Sequence, residues 1–95
     1  MEIRDIKDIP EGRKLAQLAE ECAEGCQAAL KLIRAYDGEP QLSGIECRVK
    51  LLEELADIMV CANAFMTDLD NQIYTQYYYE KKQRWEDRLN GRSKS

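Results

Sequence analysis

A single short break, Asp37-Gly38-Glu39-Pro40, separates two long stretches in which apolar residues recur every three or four positions. Before the break, Leu15, Leu18, Cys22, Cys26, Ala29 and Ile33 keep this spacing. At about 100° per residue they share one narrow arc, which predicts a helix over 13–36. The remaining sides are also rich in small and apolar residues: Ala16, Ala19, Ala23, Ala28, Leu30 and Leu32. A helix apolar on more than one side needs more than one neighbour. After the break, Leu51, Leu52, Leu55, Ile58, Met59, Ala62, Phe65, Met66 and Leu69 carry the same period. Gly38 and Pro40 stop the first helix, and Ser43 with Glu46 three residues later has the form of a capping box for the second. A connection this short makes the pair an antiparallel hairpin.

The rest of the chain is read around that hairpin. Residues 1–12 form a lead-in arm in which Ile3, Ile6 and Ile9 recur every three positions. That spacing makes a short amphipathic turn that covers a neighbour's apolar surface, or a frayed arm. Asp70-Asn71 breaks the second helix at about Leu69 and caps a third, from Gln72 to about Leu89. Asn90-Gly91 ends it, and residues 91–95 form a polar tail. The expected fold is therefore all-α, with a helical domain over 13–90: an antiparallel hairpin plus a C-terminal helix. A chain of 95 residues buries a modest core, so assembly of copies into a larger helical bundle is expected.

Eighteen acidic and 14 basic residues leave a net charge of -4, which argues against a nucleic-acid partner, since such binding relies on a positive field. A small phosphorylated ligand stays open, because a metal ion neutralises both the ligand and the carboxylates around it. Cys22, Cys26, Cys47 and Cys61 include no C-x-x-C, and the chain has no His, so the cysteines read as small core residues rather than zinc ligands. No apolar signal segment or stretch of membrane-spanning length occurs. The expected location is the cytoplasm.

The acidic residues have a pattern of their own. Glu20-Glu21-Cys22-Ala23-Glu24 lies within the first helix and Glu53-Glu54-Leu55-Ala56-Asp57 within the second. Each offers two carboxylates three apart, one turn from each other on one face. Both pairs sit mid-helix, where neither capping nor the helix dipole accounts for them. Paired acids are common on solvated faces. Two pairs on adjacent helices, set among small and apolar residues, are less so. In an antiparallel hairpin Glu21, Glu24, Glu54 and Asp57 can converge, and four carboxylates in one patch repel one another. A hard divalent cation such as Mg²⁺, with Mn²⁺ as the alternative, removes that cost. The chemistry that follows is metal-assisted attack of water on a phosphoryl group, with Glu21 or Glu24 taking the proton.

At these residues the chain resembles the MazG-like, all-helical nucleoside triphosphate pyrophosphohydrolases. This superfamily also holds dimeric dUTPases and phosphoribosyl-ATP pyrophosphatases. Its signature is E-x-x-E on one helix and E-x-x-D on the next, matched here by Glu21-Cys-Ala-Glu24 and Glu54-Leu-Ala-Asp57. The run Lys81 to Leu89 is similar to the basic C-terminal helix of short bacterial and phage members. The resemblance implies that the four acids bind Mg²⁺. It also implies cleavage of a nucleoside triphosphate between its α and β phosphates, giving the monophosphate and pyrophosphate. A homodimer or homotetramer is implied too, with sites near subunit contacts. Many members carry a longer segment before the first acidic helix that helps grip the base; a short arm stands there in this chain.

Six further residues are candidates for substrate contact. Lys31 lies near the azimuth of Glu24, and Lys50 precedes Glu54 by four, where a helical ion pair is the simpler role. Lys81, Arg84 and Arg88 offer positive charge on the last helix, and the arginines suit bidentate phosphate contacts. Asn63 stands mid-helix, where its low propensity calls for a hydrogen-bond partner. The alternative to an enzyme is a noncatalytic helical interaction protein that keeps the fold and uses its surfaces for assembly.

Overall fold

The computed structural model describes residues 5–91. Residues 1–4 of the expected arm, including Ile3, and residues 92–95 of the expected tail lie outside the described residues. A short 3-10 turn, Ile6–Asp8, precedes three helices: α1 (Glu11–Tyr36), α2 (Gly44–Phe65) and α3 (Asp68–Leu89). The described residues are all-helical, and no helix among them is long and apolar enough to cross a membrane. They divide into two compact units, one ending at Phe65 and one beginning at Met66.

In the first unit α1 packs against α2 as a hairpin. The turn between them follows from one glycine. Gly38 takes φ +92, its N–H donates to the Ala35 carbonyl, and Glu39 N–H donates to the Arg34 carbonyl. These are the two bonds of a Schellman motif, which satisfy the last carbonyls of α1. Arg34 Nε also meets Glu39 Oε2 at 2.9 Å across the turn. Ser43 Oγ accepts from the Glu46 N–H at 3.2 Å and so opens α2. At the far end of the hairpin, Lys7 Nζ donates to the Asn63 carbonyl at 2.6 Å, tying the arm to the last turn of α2, where a cation is favoured.

The contact between the helices runs along an unexpected stripe. The less exposed positions of α1 include Leu18, Glu21, Gly25, Ala28, Leu32 and Ala35, spaced alternately three and four apart. Those of α2 include Gly44, Cys47, Leu51, Glu54, Ile58, Cys61 and Phe65, in the same rhythm. This is a heptad seam. The stripe expected to be buried on α1 lies to one side of it: Cys22 and Cys26 are exposed, as are Leu15 and Ile33. The physical reason is room. A Cβ on Gly25 would stand 2.8 Å from Ile58 Cδ1, so the Ile58 side chain occupies the space that a side chain on α1 would fill.

A small-residue seam leaves much apolar surface outside. Among the described residues the buried apolar set is Ala28, Leu32, Cys47 and Ala64. Leu30, Ile33, Val49, Leu52, Met59 and Val60 all stay exposed.

The second unit is built on α3. It opens earlier than the expected cap at Asp70-Asn71, and α2 stops at Phe65 instead of about Leu69. Thr67 is the N-cap: its Oγ1 accepts from the Asp70 N–H at 3.1 Å, and Asp70 Oδ2 accepts from the Thr67 N–H at 3.0 Å. This reciprocal box satisfies two orphan donors, where the Asp70 expected as the cap serves as its third residue. Along α3, Tyr74, Tyr77, Tyr78, Lys81, Lys82 and Trp85 line a shallow hollow.

Candidate metal centre

The hairpin brings Glu21, Glu54 and Asp57 together, with one carboxylate oxygen from each lying within 4.8 Å of the others. The reason lies in the seam. Glu21 and Glu54 occupy seam positions, one turn from the close approach of Gly25 and Ile58, and Asp57 lies one turn along α2 on its exposed flank. Glu54 is 3 % exposed, an unusual burial for a glutamate.

Each of the two seam glutamates is half satisfied. Glu21 Oε1 accepts from Gln17 Nε2 at 2.8 Å, and Glu54 Oε1 meets Lys50 Nζ at 2.9 Å. The second oxygens, Glu21 Oε2 and Glu54 Oε2, are buried without a hydrogen-bond partner. A buried carboxylate oxygen left this way is costly, and a cation between the two removes that cost. The donor set is oxygen from carboxylates, which suits Mg²⁺, Mn²⁺ or Ca²⁺. Oxygens on opposite sides of such an ion stand about 4–5 Å apart, so the spacing fits. The triad can therefore coordinate a divalent cation.

Glu24 stands beside the triad, on an exposed side of α1. The negative charge of Glu21 raises its pKa above the ordinary 4.5, and its contact with Glu54 raises it further. Glu54 moves the other way, held down by the Lys50 ammonium against the opposing effect of burial. Lys50 is raised in turn, chiefly by its hydrogen bond to Glu54 and then by the charge of Glu53, whose Oε1 lies 4.0 Å from its Nζ. Burial pushes the Cys61 thiol up, and the charges of Glu21 and Asp57 add to it.

A pH dependence follows from Glu24. Its folded-state pKa lies above the ordinary value, so its ionised form is disfavoured in the folded protein. Its contribution to stability is complete below pH 4.5 and is lost as pH rises through the raised pKa. In metal-free protein, Glu24→Gln is expected to melt higher than wild type at neutral pH. The gap should close as pH falls below the raised value. Thermal unfolding at several pH values checks this, and a gap that widens on acidification refutes it.

Two hollows flank the carboxylates within the hairpin unit. One is a polar groove lined by Glu24, Gln27, Ala28, Lys31, Lys50 and Glu54. It places both candidate lysines of the first two helices beside the acids. The other is a cleft of about 270 Å³ whose lining is mostly apolar and includes Ile6, Ile9, Arg13, Gln17, Val60 and Cys61. Gln17 links it to Glu21. Asn63 is exposed, and its backbone carbonyl rather than its side chain receives Lys7. Lys81, Arg84 and Arg88 lie on α3, in the other unit.

Sequence reasoning passed over Gly25 and Gln17. A glycine inside a long helical pattern costs about 1 kcal/mol against alanine, and that cost was the available signal for a close contact. Gln17 lies four residues before Glu21, a spacing that pairs side chains on a helix.

The fold and site together define an all-α protein with a seam-embedded carboxylate cluster suited to a divalent cation. No family model matches the chain, and neither a curated protein nor a solved structure matches it.

Proposed function

We propose that this protein is a metal-dependent nucleoside triphosphate pyrophosphohydrolase of the MazG-like all-helical type, acting as a homo-oligomer. The observation that carries the reading is the pair of half-satisfied carboxylates, Glu21 and Glu54, each with one buried oxygen that has no partner, facing one space with Asp57. A surface patch kept for solubility has no need to bury Glu54. The E-x-x-E and E-x-x-D resemblance supplies the reaction.

Glu21, Glu54 and Asp57, with Glu24 at the edge, hold the ion. Bound Mg²⁺, or Mn²⁺ in its place, supplies Lewis acidity and offsets the charge of the phosphates. Glu24 is exposed and stands beside the triad in the polar groove, so it is the better placed base of the E-x-x-E pair. It takes a proton from the water whose oxygen attacks the α-phosphorus. The bond from that phosphorus to the bridging oxygen breaks, and pyrophosphate departs with the bonding electrons. Lys31, in the groove beside Glu24, faces the departing phosphates. The exposed Leu30, Ile33, Leu52 and Met59 support assembly with further copies, since apolar surface of this extent is costly on a monomer.

The test is pyrophosphate release from a panel of canonical and modified ribo- and deoxyribonucleoside triphosphates, with Mg²⁺ and with chelator. Release that requires the metal is expected from at least one member. No release from any member, by protein shown to be folded and oligomeric, refutes the reading. It would favour a noncatalytic helical interaction protein, for which the same outward apolar residues are the supporting observation.

A further inference from the structure

We propose that Lys50 is an exchangeable counter-ion: it neutralises Glu54 from the oxygen beside the cation's place and, when the cation binds, turns to the phosphates of the ligand. The inference rests on the metal-site reading above and assigns a role that the carboxylates alone do not supply.

Three observations carry it. Lys50 Nζ sits 2.9 Å from Glu54 Oε1, while the sister oxygen of the same carboxylate is buried without a partner. One positive charge thus serves a carboxylate that is built to take more. The two ends of the pair differ sharply in burial, at 57 % exposure for the lysine side chain and 4 % for the glutamate. The ammonium is therefore the mobile partner, because it reaches in from solvent on a flexible four-carbon stem. Finally, Lys50 and Lys31 line one polar groove together with Glu24 and Glu54. An ammonium that leaves Glu54 stays within this groove beside a second one.

The charges then balance at each stage. Before the ion binds, Lys50 limits the repulsion among Glu21, Glu24 and Glu54. With a divalent cation on the carboxylates, the ammonium is repelled from Glu54. Two lysines at the groove wall then face a polyphosphate, which carries the opposite sign. Lys50 is a positioning residue, and the ligand class it favours is a phosphate chain bound together with a divalent cation.

The experiment compares wild type with Lys50→Met and Lys31→Met. It uses Mn²⁺ binding followed by electron paramagnetic resonance, then pyrophosphate binding at saturating Mn²⁺. Lys50→Met removes a like charge paired to the same carboxylate, so Mn²⁺ alone should bind roughly two- to fivefold tighter, the scale of a partly exposed ion pair. Lys31→Met should change Mn²⁺ binding less than twofold, as roughly expected for an exposed like charge whose repulsion is screened. With Mn²⁺ present, pyrophosphate should bind about tenfold more weakly to either variant, the loss of one charge-assisted contact. Mn²⁺ affinity of Lys50→Met at or below that of wild type overturns the proposal and leaves the metal site standing. So does unchanged pyrophosphate affinity in Lys50→Met. Absence of Mn²⁺ binding by wild type overturns the metal site itself and the proposal with it.

Discussion

Glu54→Gln is expected to weaken Mn²⁺ binding on the order of 100-fold or more, with far-UV circular dichroism unchanged. Loss of residues that merely orient a metal ligand costs about 10- to 100-fold, and Glu54 is argued to be a ligand. Glutamine keeps the volume and so preserves the seam, but it replaces an anionic oxygen pair with one neutral carbonyl. Of the three clustered acids, Glu54 alone is buried. Its negative charge is therefore the least screened by water and the most effective toward a cation. Glu20→Gln and Glu53→Gln remove the same charge from exposed neighbours in sequence and should leave Mn²⁺ affinity close to wild type. Equal losses across all three variants would mean that diffuse negative charge, and no built site, attracts the ion.

The second large effect is expected at Gly25. Gly25→Leu should destabilise the protein by about 2–3 kcal/mol, the upper part of the range for overpacking a close contact. Gly25→Ala should fall near zero. The helix gains about 1 kcal/mol of propensity, while a Cβ 2.8 Å from Ile58 Cδ1 obliges that terminal methyl to move. Thermal unfolding of the two variants distinguishes these outcomes. The leucine variant should also lose Mn²⁺ affinity, although it touches no carboxylate. Glu21 and Glu54 lie four residues from Gly25 and Ile58 on their own helices, so separating the helices separates the acids. A Gly25→Leu protein with wild-type stability and metal affinity would show that the close approach is unimportant to the site.

The two effects share a cause. In most hairpins the seam is filled by large aliphatic side chains and acids stand outside it. In this hairpin Glu21 and Glu54 lie in the seam, and the neighbouring positions Gly25 and Ala28 are small. The same seam seats Ile58 over Gly25 and brings the carboxylates within a cation's reach. The same arrangement leaves Leu30, Leu52 and Met59 on the outside, where further copies are proposed to cover them. The site and the outward apolar surface are two consequences of one choice of face.

That choice is where sequence and tertiary structure divide the work. The turn was legible because its determinants are local: Gly38 takes a positive φ and Ser43 caps the helix that follows. The paired acids were legible because a three-residue spacing on a helix fixes a shared face whatever the helix packs against. The α2–α3 boundary was less so, since Thr67 and Asp70 both have capping chemistry and their reciprocal hydrogen bonds decide between them. Which stripe of α1 meets α2 could not be read at all. Stripes one residue apart, Leu18-Cys22-Cys26-Ala29 and Leu18-Glu21-Gly25-Ala28, both satisfy the helical period. Side-chain hydrophobicity favours the first. The second wins because Gly25 leaves room for the Ile58 side chain of α2, an advantage that exists only when both helices are present. By itself the sequence determined the helices, their turn, the pairing of the acids and the placing of Lys50 beside Glu54; tertiary packing decided that Glu54 is buried and that Glu21 faces it.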